Sequence, residues 1–199
     1  MTFSAEAQTD LLIRAYLSAM EAREPGARSH AQRVAAMAER LAAAMGFTGV
    51  ALVHMRWAGL MHDVGKLAVR DKVLLKAGPL TPEERSEVEE HPTYAGLWLM
   101  AIPELHSCLP AILHHHERWD GSGYPMGLRG REIPLAARIL AVVDVYEALV
   151  SDRAYRSAWQ PDQALTVLRT GAGTLFDPAI TALFLSAAAT AGLTPVAAA

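Results

Sequence analysis

Apolar residues in this chain recur at helical spacing, and no segment between turn signals sustains the apolar–polar alternation of a half-buried strand. Leu11, Leu12, Ala15, Tyr16, Ala19 and Met20 repeat at intervals of a helical turn, as do Val34, Met37, Leu41 and Met45, with Pro25 and Gly26 separating the two runs. Thr81-Pro82-Glu83-Glu84 combines an N-cap residue, proline at the first helical position and glutamate at the third, which predicts a helix start. Asp177-Pro178 repeats that signal, and Gly171 and Gly173 terminate the segment before it. The pattern predicts an all-α chain, a single compact domain of about seven or eight helices packed on one another. At 199 residues it can bury a sizeable core without disulfides or a structural metal, so any metal it binds is expected to serve function.

Composition narrows the classes further. A hydrophobic content of 52% with 20% charged residues is that of a packed protein, not a disordered one. The net charge of −3 and the lack of any Lys/Arg run exclude a protein that grips long DNA or RNA, though small phosphate ligands remain open. Cys108 is the only cysteine, which rules out an intramolecular disulfide, suits a reducing cytoplasm and reads as a buried thiol. No basic region followed by an apolar core marks a signal peptide. Residues 178–199 carry no charge, but they are mostly Ala, Thr, Ser and Gly around Pro195, which predicts a last core helix and a small-residue tail, not a membrane span.

The histidines keep distinctive company. His62-Asp63 ends the apolar run Trp57 to Met61, with Gly65 and Lys66 directly after it. Adjacent helical residues point about 100° apart, so this pair can share a ligand only where regular helix gives way. His91 precedes Pro92, which is expected to push His91 out of the α region and break a helical run there. His115-His116 closes the segment Leu109 to Glu117, just before a loop from Trp119 to Pro134 rich in glycine; a loop of that length in a compact domain usually has a function. Asp144 lies in the apolar run Ile139 to Val150, where a carboxylate is costly unless a cation or strong donor compensates it. His30 shares a helical face with Val34, Met37 and Leu41. Singly, each has a bland explanation in packing, capping or surface polarity. Their conjunction, with Lys66 beside them, is much harder to explain as packing.

These residues carry a resemblance. His62-Asp63-Val64-Gly65-Lys66, then His115-His116-Glu117-Arg118-Trp119-Asp120-Gly121-Ser122-Gly123-Tyr124-Pro125, then Asp144-Val145-Tyr146 resemble the motifs of the HD-GYP family of HD phosphohydrolases, the likeness running from about His30 to Pro178. The resemblance implies a helical HD-domain, phosphodiesterase-like fold, with residues 1–25 as an N-terminal helix, 26–190 as the catalytic domain and 191–199 as an Ala-rich tail. It also implies a binuclear metal centre: His30, His62, Asp63 and Asp144 on one ion, His91, His115 and His116 on the other, Asp63 bridging. By the same resemblance Lys66 and Asp63 act in catalysis, while Lys66, Gly123, Tyr124, Arg153 and Arg156 meet the substrate. The chain departs from the family at Gly26, where some members carry a glutamate for a third metal, and at Glu147, where the family usually has aspartate.

Imidazoles and carboxylates in this mixture suit first-row transition metals better than Mg²⁺ or Ca²⁺. Iron or manganese is expected, with zinc or nickel as alternatives. The expected activity is metal-dependent hydrolysis of cyclic di-GMP to pGpG or GMP in the bacterial cytoplasm. The alternatives are hydrolysis of cyclic GMP-AMP or (p)ppGpp, and a catalytically silent cyclic di-GMP-binding module. A GGDEF-type diguanylate cyclase or a sensory or receiver protein is the expected partner class.

Overall fold

A computed structural model describes residues 5–152 and 157–189, and among these the chain is helical, its only β-type pairing an isolated bridge between Ala172 and Phe176. In chain order the helices are α1 (Ala5–Arg23), α2 (Ala27–Ala44), α3 (Val50–Met61), α4 (Asp71–Leu74), α5 (Pro82–Glu89), α6 (His91–Leu99), α7 (Leu109–His114), α8 (Leu135–Val150), α9 (Pro161–Gly171) and α10 (Pro178–Ala189). Short 3₁₀ turns occupy Val64–Ala68, Pro103–Cys108 and Gly130–Glu132. Two of the α-helices run six residues or fewer, so eight are of substantial length, in keeping with the periodicity of the sequence.

The predicted punctuation forms as written. Thr81 accepts from Glu84 N, and the Glu84 side chain accepts from Thr81 N, closing the capping box of α5. Asp177 Oδ1 accepts from Ala179 N and Ile180 N at the start of α10, while its Oδ2 takes a hydrogen bond from Arg138 of α8 at 2.7 Å. That one carboxylate caps a helix and ties it to the centre of the fold.

α2, α3 and α8 form that centre. Val34, Met37 and Leu41 of α2 pack with Trp57 and Met61 of α3 and with Ile139, Leu140, Val142 and Val143 of α8, all buried. Tyr146 meets Phe184 of α10 edge to face, with ring centroids 5.0 Å apart. Cys108 is buried as expected, and desolvation pushes its thiol up to about 12.

The structure settles one face that the spacing left open and corrects one local expectation. In α1 the buried stripe is Thr9, Ile13, Leu17 and Met20, whereas Leu11 is 67% exposed. Apolar side chains occur on several sides of α1, and spacing alone could not choose the face that α2 and α3 cover. His91 is helical, the first residue of α6; the break falls one residue earlier, at Glu90. Pro92 sits in the first turn, where a missing N–H leaves no hydrogen bond unmade.

Candidate metal centre

Three helix ends present a histidine in the same way. His62 lies just after α3, His91 just after α5, and His115 just after α7. The last carbonyls of a helix have no intrahelical donor. Here each is taken by the imidazole three residues later: His62 Nδ1 donates to Gly59 O at 2.8 Å, His91 Nδ1 to Val88 O at 2.7 Å, and His115 Nδ1 to Ile112 O at 2.7 Å. A proton fixed on Nδ1 leaves Nε2 as a lone-pair donor aimed away from the helix end. This is the physical reason that histidine recurs at these positions.

His30, within α2, obtains the same tautomer from a distant partner. Its Nδ1 pairs in a short contact with Glu147 of α8, 117 positions along the chain. Glu147 is fully buried and also accepts from Arg33 Nε at 2.5 Å and from the Ser151 hydroxyl. Burial disfavours its charge, but these donors outweigh it and hold its carboxyl below the ordinary range. Glu147 thus orients a histidine, a role that sequence reasoning left open because nothing near it in the chain reveals its partner.

The Nε2 atoms converge. His30 Nε2 lies 3.2 Å and His62 Nε2 3.7 Å from Asp144 Oδ1. Asp63 spans the centre: Oδ1 faces His91 Nε2 at 3.3 Å, and Oδ2 faces His62 Nε2 at 3.4 Å and His30 Nε2 at 3.8 Å. Donor atoms fall into two groups, Asp63 with His91, His115 and His116, and His30 with His62 and Asp144, each within 4.8 Å. All seven side chains singled out as ligands from the sequence are therefore together, and His114 belongs to neither group.

The arrangement fits divalent cations on its own terms. His62 Nε2 is buried with no hydrogen-bond partner, and His91 Nε2 and His115 Nε2 face each other at 3.4 Å, two lone pairs that need a positive charge between them. Burial and neighbouring imidazoles hold His115 well below the usual histidine range, and the same causes bring His116 to about 3, so both are neutral donors. Burial opposes charge on His62, but Asp63 and Asp144 overcome it and raise its value to about 10: without a cation, a proton takes its place. Asp63 and Asp144 stay ionised despite burial, held down by Lys66 and His62 and by His30 and His62 respectively. This is the donor chemistry of a divalent-metal centre.

Lys66 stands on the 3₁₀ turn after the His-Asp pair, its Nζ 2.6 Å from Asp63 Oδ2. Burial works against its charge, but Asp63 and Glu24 more than compensate, and it remains an ammonium group. Gly65, beside it, permits contact between this turn and α6: a Cβ there would stand 1.9 Å from His91 O. No other residue fits without displacing the ligand helix.

The glycine-rich loop folds over the other side. Glu117, buried, accepts from Met126 N at 2.7 Å and from Leu128 N at 3.0 Å. A Cβ on Gly123 would lie 2.3 Å from Arg118 N, so only glycine lets the loop close on itself. Tyr124 is thereby laid against His116, with ring centroids 4.9 Å apart. Beside the donor cluster opens a cavity of about 530 Å³ whose walls include His116, Asp144, Gly123, Tyr124, Arg85 and Glu89. Arg153 and Arg156, expected to meet the substrate, lie outside the described residues, as does the tail 191–199.

An all-helical domain with two adjacent His/Asp donor groups joined by one aspartate defines a class of metal-dependent hydrolase folds. The HD domain family profile matches residues 16–180, and the chain belongs to that family, in its HD-GYP branch. It is 38% identical over 168 residues to a cyclic di-GMP phosphodiesterase of Thermotoga maritima, covering 83% of this chain and 45% of that protein. It is 41% identical over 162 residues to a cyclic di-GMP phosphodiesterase response regulator of Xanthomonas campestris, covering 80% and 43%. The crystal structure of a cyclic GMP-AMP specific phosphodiesterase of Vibrio cholerae shares the fold, with a TM-score of 0.71 over 95% of this chain and 49% of that one, at 15% identity. The chain thus spans less than half the length of these curated relatives. Among the described residues no helix is long and apolar enough to cross a membrane.

Proposed function

We propose that this chain hydrolyses a 3′–5′ phosphodiester bond of a cyclic dinucleotide, cyclic di-GMP first, at a binuclear iron or manganese centre. The observation that carries the proposal is Asp63, whose two oxygens each face a different group of histidines. In this reading His30, His62 and Asp144 would hold one ion and His91, His115 and His116 the other, with Asp63 shared between the two groups. Ions so placed supply charge neutralisation and water activation at neutral pH.

The remaining tasks fall to the chain. Lys66, kept protonated, donates to the scissile phosphate and stabilises the charge that grows on it. Tyr124 and Gly123 shape the wall of the cavity that takes the nucleotide, and Arg153 and Arg156 are proposed to bind its phosphates and guanines. Water adds to phosphorus, the bond to the 3′ oxygen breaks, and that oxygen leaves protonated, giving linear pGpG and, after a second hydrolysis, GMP. Residues 26–190 form the catalytic unit in this proposal, and a diguanylate cyclase or receiver-type protein is the proposed source of regulation.

Cyclic GMP-AMP is the competing substrate, favoured by 36% identity over 171 residues to a 3′3′-cGAMP-specific phosphodiesterase of Vibrio cholerae. Anaerobically purified protein, assayed for metal and for products with each cyclic dinucleotide and with (p)ppGpp, tests the proposal. Two ions per chain and release of pGpG are expected. Tight cyclic di-GMP binding by metal-free, inactive protein would instead identify a silent module, and faster cleavage of cyclic GMP-AMP or (p)ppGpp would reassign the substrate.

A further inference from the structure

Lys66 sits on a five-residue 3₁₀ turn, Val64–Ala68, and such turns have poorer hydrogen-bond geometry than an α-helix. Something outside the turn must hold it if the ammonium group is to meet a phosphate reproducibly. On one side the backbone of α6 closes against Gly65. On the other side stands Arg23, the last residue of α1.

The Arg23 guanidinium is devoted to this turn. Its Nη1 donates to Leu67 O at 2.6 Å and reaches Lys66 O at 3.4 Å, and its Nη2 donates to Val69 O at 2.6 Å. Asp71, at the start of α4, completes the fork, receiving Nε at 3.0 Å and Nη2 in a shorter contact. The carbonyls served are those at the C-terminal end of the turn, which its own N–H groups leave partly unmet, and a cation there opposes the local dipole. A planar guanidinium can serve three carbonyls and a carboxylate at once; a lysine ammonium on the same stem cannot match that spread.

We infer that Arg23 is a positioning residue for Lys66: it presses the turn onto α6 and so sets where the ammonium group meets the substrate phosphate. The inference rests on the role proposed for Lys66 above. It makes α1 part of the catalytic apparatus, although α1 contributes no ligand and no described wall of the cavity.

A double-mutant cycle on the whole chain, loaded with Mn²⁺ and assayed with cyclic di-GMP and with bis(p-nitrophenyl) phosphate, tests this. Arg23→Ala is expected to lower kcat about 10- to 100-fold with KM little changed, the cost of a misplaced transition-state contact. Arg23→Lys is expected to recover little of that loss. In a Lys66→Ala background Arg23→Ala should cost almost nothing more, because the two act through one contact. Metal content should stay at the wild-type level while amide exchange across residues 64–70 quickens. Equal losses with and without Lys66, full recovery by Arg23→Lys, or an unchanged kcat in Arg23→Ala would each overturn the inference. If Arg23→Ala does not fold, Asp71→Asn, which frees the same guanidinium from its outer anchor, should show a smaller loss of the same kind, and no loss would count against the inference. Wild-type turnover by Lys66→Ala alone would instead remove Lys66 from the mechanism, a separate failure.

Discussion

The two halves of the metal centre differ in how one histidine is held. His91 and His115 of one half, and His62 of the other, take their orientation from the carbonyl three residues back, at the end of the helix that precedes them. His30 takes its orientation from Glu147, which is held in turn by Arg33 and Ser151. The first device is local and needs only a helix that stops in the right place. The second needs α2 and α8 to be packed in register before either residue finds its partner. The lesson is that one half should tolerate changes elsewhere in the fold while the other depends on a buried polar network.

The largest effect belongs to Asp63, which joins the halves, taken together with its neighbour His62. Replacing His62 and Asp63 together by alanine is expected to abolish retention of both ions and turnover, read by elemental analysis and product assay; undiminished hydrolysis would end the proposed mechanism.

Glu147→Ala attacks one half only. It strands Arg33 and His30 beside an empty buried site, which should destabilise the fold by about 3–5 kcal/mol and weaken the ion at His30 by about 10- to 100-fold, while the ion at His91 and His115 stays. Titration with metal should therefore show one tight site and one weak one. Parallel weakening of both would erase the distinction between the halves.

Tyr124→Leu removes the ring laid against His116 but keeps an apolar side chain there. Loss of that contact is expected to raise KM by about 2- to 10-fold, the scale of one aromatic pair, with metal content unchanged. A fall in bound metal would show that the tyrosine supports the ligand itself.

The smallest effect concerns the exposed end of the ligand-bearing segment. Glu87 of α5 accepts from Arg70 N at 2.8 Å and from its guanidinium, and these bonds bring its carboxyl to about 2 from an ordinary 4.5. A carboxyl depressed by folding contributes stability that is complete above its unfolded value and fades as pH falls through the folded one. Glu87→Gln should therefore unfold slightly more readily than wild type at neutral pH, and the gap should close between about pH 4.5 and pH 2. A gap unchanged across that range would mean the carboxylate charge contributes nothing.

Much of the centre could be read from the chain because its signals are short-range. A histidine that follows an apolar helix by one residue, as His62 and His115 do, announces both the helix end and the imidazole's use. Asp144 was visible as a carboxylate in an apolar run. Glu147 could be seen but not interpreted, and Arg23 gave no signal at all, since its acceptors are backbone carbonyls 43 to 46 residues away and a carboxylate 48 away. The buried stripe of α1 was not legible for a related reason: periodicity says that a helix has an apolar face, and only neighbouring helices say which one is covered.

By itself, then, the amino-acid order determined the helices, their stops, which seven side chains are candidate ligands and the tautomer of three histidines, because each depends on atoms a few residues apart. Tertiary structure alone decided that those side chains share two clusters, that Glu147 serves His30 and that Arg23 clamps the turn of Lys66. Those outcomes depend on how α1, α2, α6 and α8 pack, and packing is settled by the burial of the whole core, not by any one segment.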